Sequence, residues 1–285
     1  MHRPPQKIYF PGSKVPRIIG HRGNSFYFPE NTVPSFNSAF ACPADGIETD
    51  LQLTRDGVPV IFHNRTLLTL DKSRSHILNR SLAELKKLDW RGIHNKKQYS
   101  KPLRVVTFTD FLKRYCHFVK EPLKKCICLE LKSRKHDRET GMQEKLARAV
   151  ISALRNSKVD IKAGYVKILS FDFDLLMFVH RICKEIPLVY NLSAQKDFSR
   201  IFRSEKSIKT STDKHHNSFL KKLEAVCIDI NSVTVGFVKK VHSSGRYVMS
   251  YACNTHAQLR KAETCGVDTV MSDRPLWAVE GIRWR

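Results

Sequence analysis

The chain has 285 residues, 41% hydrophobic and 27% charged, with a formal net charge of +23. That length suits one large α/β domain better than two ordinary ones, and the composition excludes an intrinsically disordered chain. A transmembrane helix is excluded too: the longest apolar candidate, 168–179, is broken by Asp172 and Asp174 and falls short of a ~18-residue span.

The stretch 1–20 is basic but lacks an apolar core and a small-residue cleavage site, so the expected location is cytoplasmic. The eight cysteines include no CxxC pair, and reduced, mostly buried thiols are expected. Lysines and arginines are scattered rather than blocked, and no nucleic-acid-binding module stands out. A positive surface attracts phosphates in general, whether of nucleic acid, anionic lipid or a phosphorylated substrate, and a solvated basic surface accounts for the charge more simply than any macromolecular partner. A small phosphate-bearing substrate and peripheral contact with an anionic membrane are compatible with it.

In chain order, strand-like runs occupy 17–20, 46–53, 58–63, 125–131, 165–170, 187–192, 225–230, 247–252 and 269–272. Helical patterns fall at 34–41, 109–117, 142–156, 174–184, 234–242 and 256–265. This alternation predicts a parallel α/β fold. Only Thr54-Arg55-Asp56-Gly57 separates the second and third runs, too little for a parallel crossover, so 58–63 returns as a hairpin arm. Eight parallel strands remain, which predicts a single (β/α)8 barrel filling 1–285. Segment 65–104, with a helical patch at 82–88, reads as a small cap inserted after the hairpin. The polar segment 204–217 reads as a loop, and its His215-His216 as a solvated pair.

Alternation puts Glu48 and Asp50 on one face of the second strand. Reflecting the hairpin about an Arg55–Asp56 centre places His63 opposite Glu48, unless a bulge at Gly57 shifts it by one. On the run from Cys126, even positions point into the barrel and end in Glu130 and Lys132. The first strand ends in His21-Arg22-Gly23, where an arginine can clamp a phosphate oxygen. Buried carboxylates need a compensating cation, and oxygen donors favour a hard divalent one. Each residue alone has a structural explanation. Gathered on the rim where barrel enzymes work, they predict a site.

These residues resemble the glycerophosphodiester phosphodiesterase family. The likeness runs through His21-Arg22-Gly23, Pro29-Glu30-Asn31-Thr32, Glu48-Thr49-Asp50, Asp56-Gly57 and His63. It continues through Glu130-Leu131-Lys132, Ser170-Phe171-Asp172 and Gly266-Val267-Asp268 to Ser272-Asp273-Arg274-Pro275. The resemblance implies a barrel hydrolase that releases glycerol 3-phosphate and an alcohol. It implies Glu48, Asp50 and Glu130 as ligands of Mg²⁺ or Ca²⁺, His21 and His63 as the acid–base pair, and Arg22 and Lys132 on the phosphate. Glu30 and Asn31 match a bracing turn.

Three positions depart from the family pattern. Asn64 stands where Asp usually follows the second histidine, Tyr251-Ala252-Cys253-Asn254 stands for Trp-Thr-Val-Asn, and Ser272 stands for Thr. Two other readings keep the barrel: a lysophospholipase D acting on lipid phosphodiesters, or a non-catalytic barrel that binds phosphate ligands.

Overall fold

The structure is a computed structural model, and it describes residues 15–91, 101–118, 125–195, 197 and 219–283. Nine strands occupy Arg17–Gly20 (β1), Gly46–Leu53 (β2), Pro59–Ile61 (β3), Cys126–Leu131 (β4), Val166–Ser170 (β5), Leu188–Leu192 (β6), Ala225–Asp229 (β7), Tyr247–Tyr251 (β8) and Thr269–Ser272 (β9). All but β3 pair in parallel in the order β1-β9-β8-β7-β6-β5-β4-β2, and a β1–β2 pairing closes the ring. The eight-stranded parallel barrel follows as expected, with β3 antiparallel on the outside of β2.

The alternation read along β4 is realised on both faces. Ile127, Leu129 and Leu131 pack outward with Leu146, Val150 and Leu175 of the surrounding helices. Cys126 and Cys128 face inward among Ile19, Leu169, Val189, Cys227, Met249 and Met271. At the opposite end of the barrel from the carboxyl-terminal strand ends, buried Lys167 meets Glu224 at 2.5 Å. A charge in that position needs such a partner. All eight cysteines are free thiols, five of them buried.

Helices Val33–Ala41, Phe108–Phe118, Met142–Arg155, Phe173–Ile182, Val235–Ser243 and His256–Cys265 match the periodic patterns, with ends displaced by a residue or two. Asp172 caps the helix after β5 by accepting from the Leu175 amide. A further helix, Pro275–Arg283, follows β9 and opens on a proline, which suits a first helical turn. Within the described part of 65–104, the patch at 82–88 is a short helix, Leu82–Leu85, with a Ser81–Glu84 capping box. Val60, Phe62, Leu67, Ile77, Leu85, Trp90 and Val105 give this cap its own small core. The segment 204–217, with His215 and His216, lies outside the described residues.

The hairpin register differs by one residue from the reflection about Arg55–Asp56. Leu51 pairs with Ile61 and Leu53 with Pro59, which centres the turn on Asp56. The cause is a three-residue loop: the Thr54 amide donates to Val58 O at 3.0 Å, and Gly57 takes φ 80°. β3 also ends at Ile61, so His63 does not face Glu48 across a ladder. It reaches the barrel mouth from the irregular chain beyond the strand.

Gly46 of β2 pairs with Cys126 of β4. A Cβ there would lie 2.0 Å from Cys126 O, a backbone atom that cannot swing away. Gly46→Ala is expected to push the strands apart and cost about 1–3 kcal/mol. The check is a lower urea midpoint at unchanged slope.

Candidate active site

Parallel pairing sets Asp50 beside Glu130 and Glu48 beside Cys128, which brings three carboxylates to the carboxyl-terminal mouth. Glu48 and Asp50 are 2% and 1% exposed, and one ligand oxygen from each of Glu48, Asp50 and Glu130 lies within 4.8 Å of the others. Two cations border the cluster. Lys132 Nζ is 2.8 Å from Asp50 Oδ1 and also contacts Glu130 Oε1. Arg22 Nη1 pairs with Glu30 Oε2 at 2.8 Å, and its Nε lies 3.6 Å from Asp50 Oδ2.

The loop after β1 is shaped for this contact. Arg22 and Asn31 adopt φ of 56° and 59°, an uncommon region for residues with a Cβ. In exchange the Arg22 amide donates to Glu48 Oε2 at 3.2 Å, and Asn31 Nδ2 donates to Asp50 Oδ2 at 2.9 Å. Thr49 in turn donates to Asn31 Oδ1 at 2.8 Å. The expected bracing role of Glu30 and Asn31 thus has a concrete form: one aims the guanidinium, the other aims a carboxylate.

His21 Nδ1 lies 2.7 Å from Asp273 Oδ1, which turns Nε2 toward Glu48 Oε2 at 3.9 Å. Asp273 is itself fixed by Asn254 Nδ2 at 2.6 Å and Ser25 Oγ at 3.2 Å. His63 Nδ1 is 3.3 Å from Asn64 Oδ1, and its ring feels the charges of Asp50, Lys132 and Arg22. All seven residues singled out from the sequence therefore meet at one mouth. Two supporting contacts were not readable from the pattern, although Asp273 itself lies in the matched Ser272-Asp273-Arg274-Pro275 run. Asp273 is the partner of His21, and Asn191 donates to Glu130 Oε2 at 3.2 Å from β6.

The electrostatics are uneven. Burial, reinforced by Asp50 and Glu130, pushes the Glu48 carboxyl well above its usual range. Burial also raises Glu130, against the pull of Lys132. Asp50 is equally buried, but Lys132 and Arg22 outweigh that cost and hold it below the usual carboxylate range. Burial lowers His63, with Lys132 and Arg22 adding to the effect against Asp50. Three crowded carboxylates share two cations, and one of these, Arg22, is already paired with Glu30. An all-oxygen donor set with unmatched negative charge fits a hard divalent cation.

Buried acids, flanking cations and two imidazoles gather at the carboxyl end of the barrel strands, where barrel enzymes carry their active sites, a set suited to binding a phosphate ester. The glycerophosphoryl diester phosphodiesterase family model matches residues 21–276, and the chain belongs to this family, hence to the phosphoric diester hydrolases. It is 29% identical over 266 residues to a glycerophosphodiester phosphodiesterase of Bacillus subtilis, covering 90% of this chain and 83% of that protein. A glycerophosphodiester phosphodiesterase of Bacillus altitudinis is 26% identical over 264 residues, covering 93% and 97%. Among solved structures, an Oleispira antarctica phosphodiesterase in complex with the product sn-glycerol-3-phosphate superposes with a TM-score of 0.75. It is 25% identical and covers 94% of this chain and 96% of that one. A Parabacteroides distasonis glycerophosphodiester phosphodiesterase shares the fold with a TM-score of 0.70 at 19% identity, covering 94% and 97%.

Proposed function

We propose that the chain acts as one barrel domain over 1–285, hydrolysing glycerophosphodiesters to glycerol 3-phosphate and an alcohol. The observation that carries this reading is the set of three buried carboxylates within 4.8 Å of one another, bordered by Arg22 and Lys132. Glu48, Asp50 and Glu130 would hold Mg²⁺ or Ca²⁺, which supplies Lewis-acid polarisation of the phosphate when bound. Arg22 and Lys132 bind the non-bridging oxygens and stabilise the charge that grows on them. Glu30 keeps the Arg22 fork aimed at that position.

His63, lowered by burial, is neutral near pH 7 and takes the proton of the attacking water or adjacent glycerol hydroxyl. As the new O–P bond forms and the ester O–P bond breaks, His21 delivers a proton to the departing alcohol oxygen. Asp273 fixes the tautomer and direction of that ring. Attack by water gives glycerol 3-phosphate directly, while attack by the glycerol hydroxyl gives a cyclic phosphate that a water then opens to the same product. The sn-glycerol-3-phosphate bound by the Oleispira antarctica neighbour supports the same product here. The test is release of glycerol 3-phosphate from a panel of glycerophosphodiesters, with and without chelator. No release from any diester in the presence of Mg²⁺ or Ca²⁺ would leave the phosphate-binding barrel as the better reading.

Asn64 tunes this site. Its amide oxygen faces His63 Nδ1 at 3.3 Å and its Nδ2 donates to Thr69 Oγ1, so the ring is oriented without an added charge. Asn64→Asp is expected to tighten the divalent cation and raise the His63 pKa, because a carboxylate favours both charges. The readouts are the metal concentration for half-maximal rate and an acidic limb of the pH–rate curve moved upward.

A further inference from the structure

Among the described residues, six of the eight exposed large hydrophobic ones follow the carboxyl-terminal strand ends or lie in the cap, around the mouth. Phe26 and Tyr27 are in the loop after β1, and Leu68 lies in the cap after β3. Phe171, Val235 and Leu276 follow the carboxyl ends of β5, β7 and β9. Phe26 and Tyr27 are 54% and 55% exposed, where a soluble loop tip ordinarily carries polar residues.

The display is braced by contacts across loops. The Arg274 guanidinium stacks 4.6 Å from the Phe26 ring and 4.3 Å from Trp277, tying the β1 loop to the helix after β9. Phe26 N also donates to Asp273 O at 3.0 Å. Across the opening, Phe171 meets Tyr251 edge-on at 6.4 Å. Exposed cations share this end: Arg55 in the turn after β2, Arg65, Lys72 and Arg74 in the cap and Arg138 after β4, against exposed Asp56, Glu139 and Asp174. Apolar tips interspersed with a surplus of cations are complementary to an anionic lipid surface.

We infer that the mouth is an interfacial surface that seats the barrel on an anionic phospholipid bilayer, delivering diesters such as lysophospholipid headgroups straight to the site. The inference builds on the proposed diesterase activity and names where its substrate is met. The aromatic tips enter the headgroup layer, the cations meet lipid phosphates, and the acidic cluster faces the membrane. Neither single tips nor single cations suffice for stable anchoring, so binding is reversible and sensitive to salt.

The experiment is flotation of the full chain with vesicles of equal parts phosphatidylcholine and phosphatidylglycerol, alongside hydrolysis of water-soluble glycerophosphocholine. Wild type is expected to float with these vesicles, weakly with pure phosphatidylcholine, and less as salt rises. The Phe26→Ser/Tyr27→Ser double variant should bind roughly tenfold more weakly while hydrolysing glycerophosphocholine at the wild-type rate. Phe171→Ser, on the opposite side of the mouth, should weaken binding in the same sense. Its rate on lysophospholipid in vesicles should fall while that on the soluble diester holds. Wild type that stays unbound at low salt, or variants that float like wild type, would overturn the inference. Self-association abolished by Phe26→Ser/Tyr27→Ser would overturn it in favour of a second copy. Vesicle binding without turnover of any diester would instead count against the proposed activity and leave the docking surface standing.

Discussion

His63→Ala and His21→Ala are each expected to lower kcat about 10²–10⁴-fold, the usual worth of one general acid or base. Both should fold, because the rings sit at the mouth and not among the apolar residues of the barrel interior or helical shell. Loss of His21 leaves Asp273 its bonds from Asn254 and Ser25. Leaving-group chemistry separates the two roles. A p-nitrophenyl diester expels a stable phenolate that needs no protonation, so the deficit of His21→Ala should shrink on it. The deficit of His63→Ala should persist, since the nucleophile still has to lose a proton. The pH profile carries a second check. Burial and the flanking cations lower His63, and protonation disables a base, so activity should rise through a pKa below the ordinary ~6.5 of histidine. A bound cation would move that limb further in the same direction. Equal deficits on both classes of diester would refute this division of labour.

Much of this site was legible because strand alternation is local. Glu48 and Asp50 are sorted to one face of β2, and Glu130 is sorted away from the outward Leu129 and Leu131 on β4, by the backbone alone, whatever the rest of the chain does. The eight-strand count survived for a similar reason, since a four-residue gap forbids a parallel crossover. Where reading failed, the missing information was non-local or hung on one dihedral. Gly57 at φ 80° lengthens the turn to three residues and moves the pairing centre to Asp56. A period-two pattern cannot reveal a one-residue slip when the partner strand spans only Pro59–Ile61. Asp273 stands 252 positions from His21, and only barrel closure through the β1–β9 pairing makes them neighbours. Asn191 was invisible for a simpler reason, since one amide in an apolar strand carries no spacing signal. The ring of exposed apolar residues was equally hidden, its members spread from Phe26 to Leu276 over five separate stretches of loop and helix start.

The three carboxylates are expected to differ in stability effect while agreeing in activity. Removing any one, as Glu48→Gln, Asp50→Asn or Glu130→Gln, should cost more than the roughly 10–100-fold that loss of an outer-shell partner costs. In metal-free protein the signs diverge. Glu48 is raised above its unfolded value, so its stabilising contribution is present at low pH and lost as pH climbs through the raised pKa. Glu48→Gln removes that strain and should raise the metal-free Tm at neutral pH. Asp50 is depressed, so its ionised form stabilises the fold above the ordinary carboxylate range. Asp50→Asn takes an anionic partner from buried Lys132 and from Arg22, and the metal-free Tm should fall by several degrees. A cation that binds only the folded chain adds stability in proportion to the logarithm of its concentration over Kd. Wild type should therefore gain Tm with Mg²⁺ or Ca²⁺, while Glu48→Gln, though more stable without metal, should gain little. Thermal melts of the three variants with chelator and with each metal read all of this without an activity assay. Turnover that survives exhaustive chelation, or a metal-induced gain in Glu48→Gln equal to that of wild type, would remove Glu48 from the ligand set. The carboxylates would then be an ion-pair network centred on Lys132, a reading that predicts Lys132→Met, not Glu48→Gln, as the variant with the largest change in Tm.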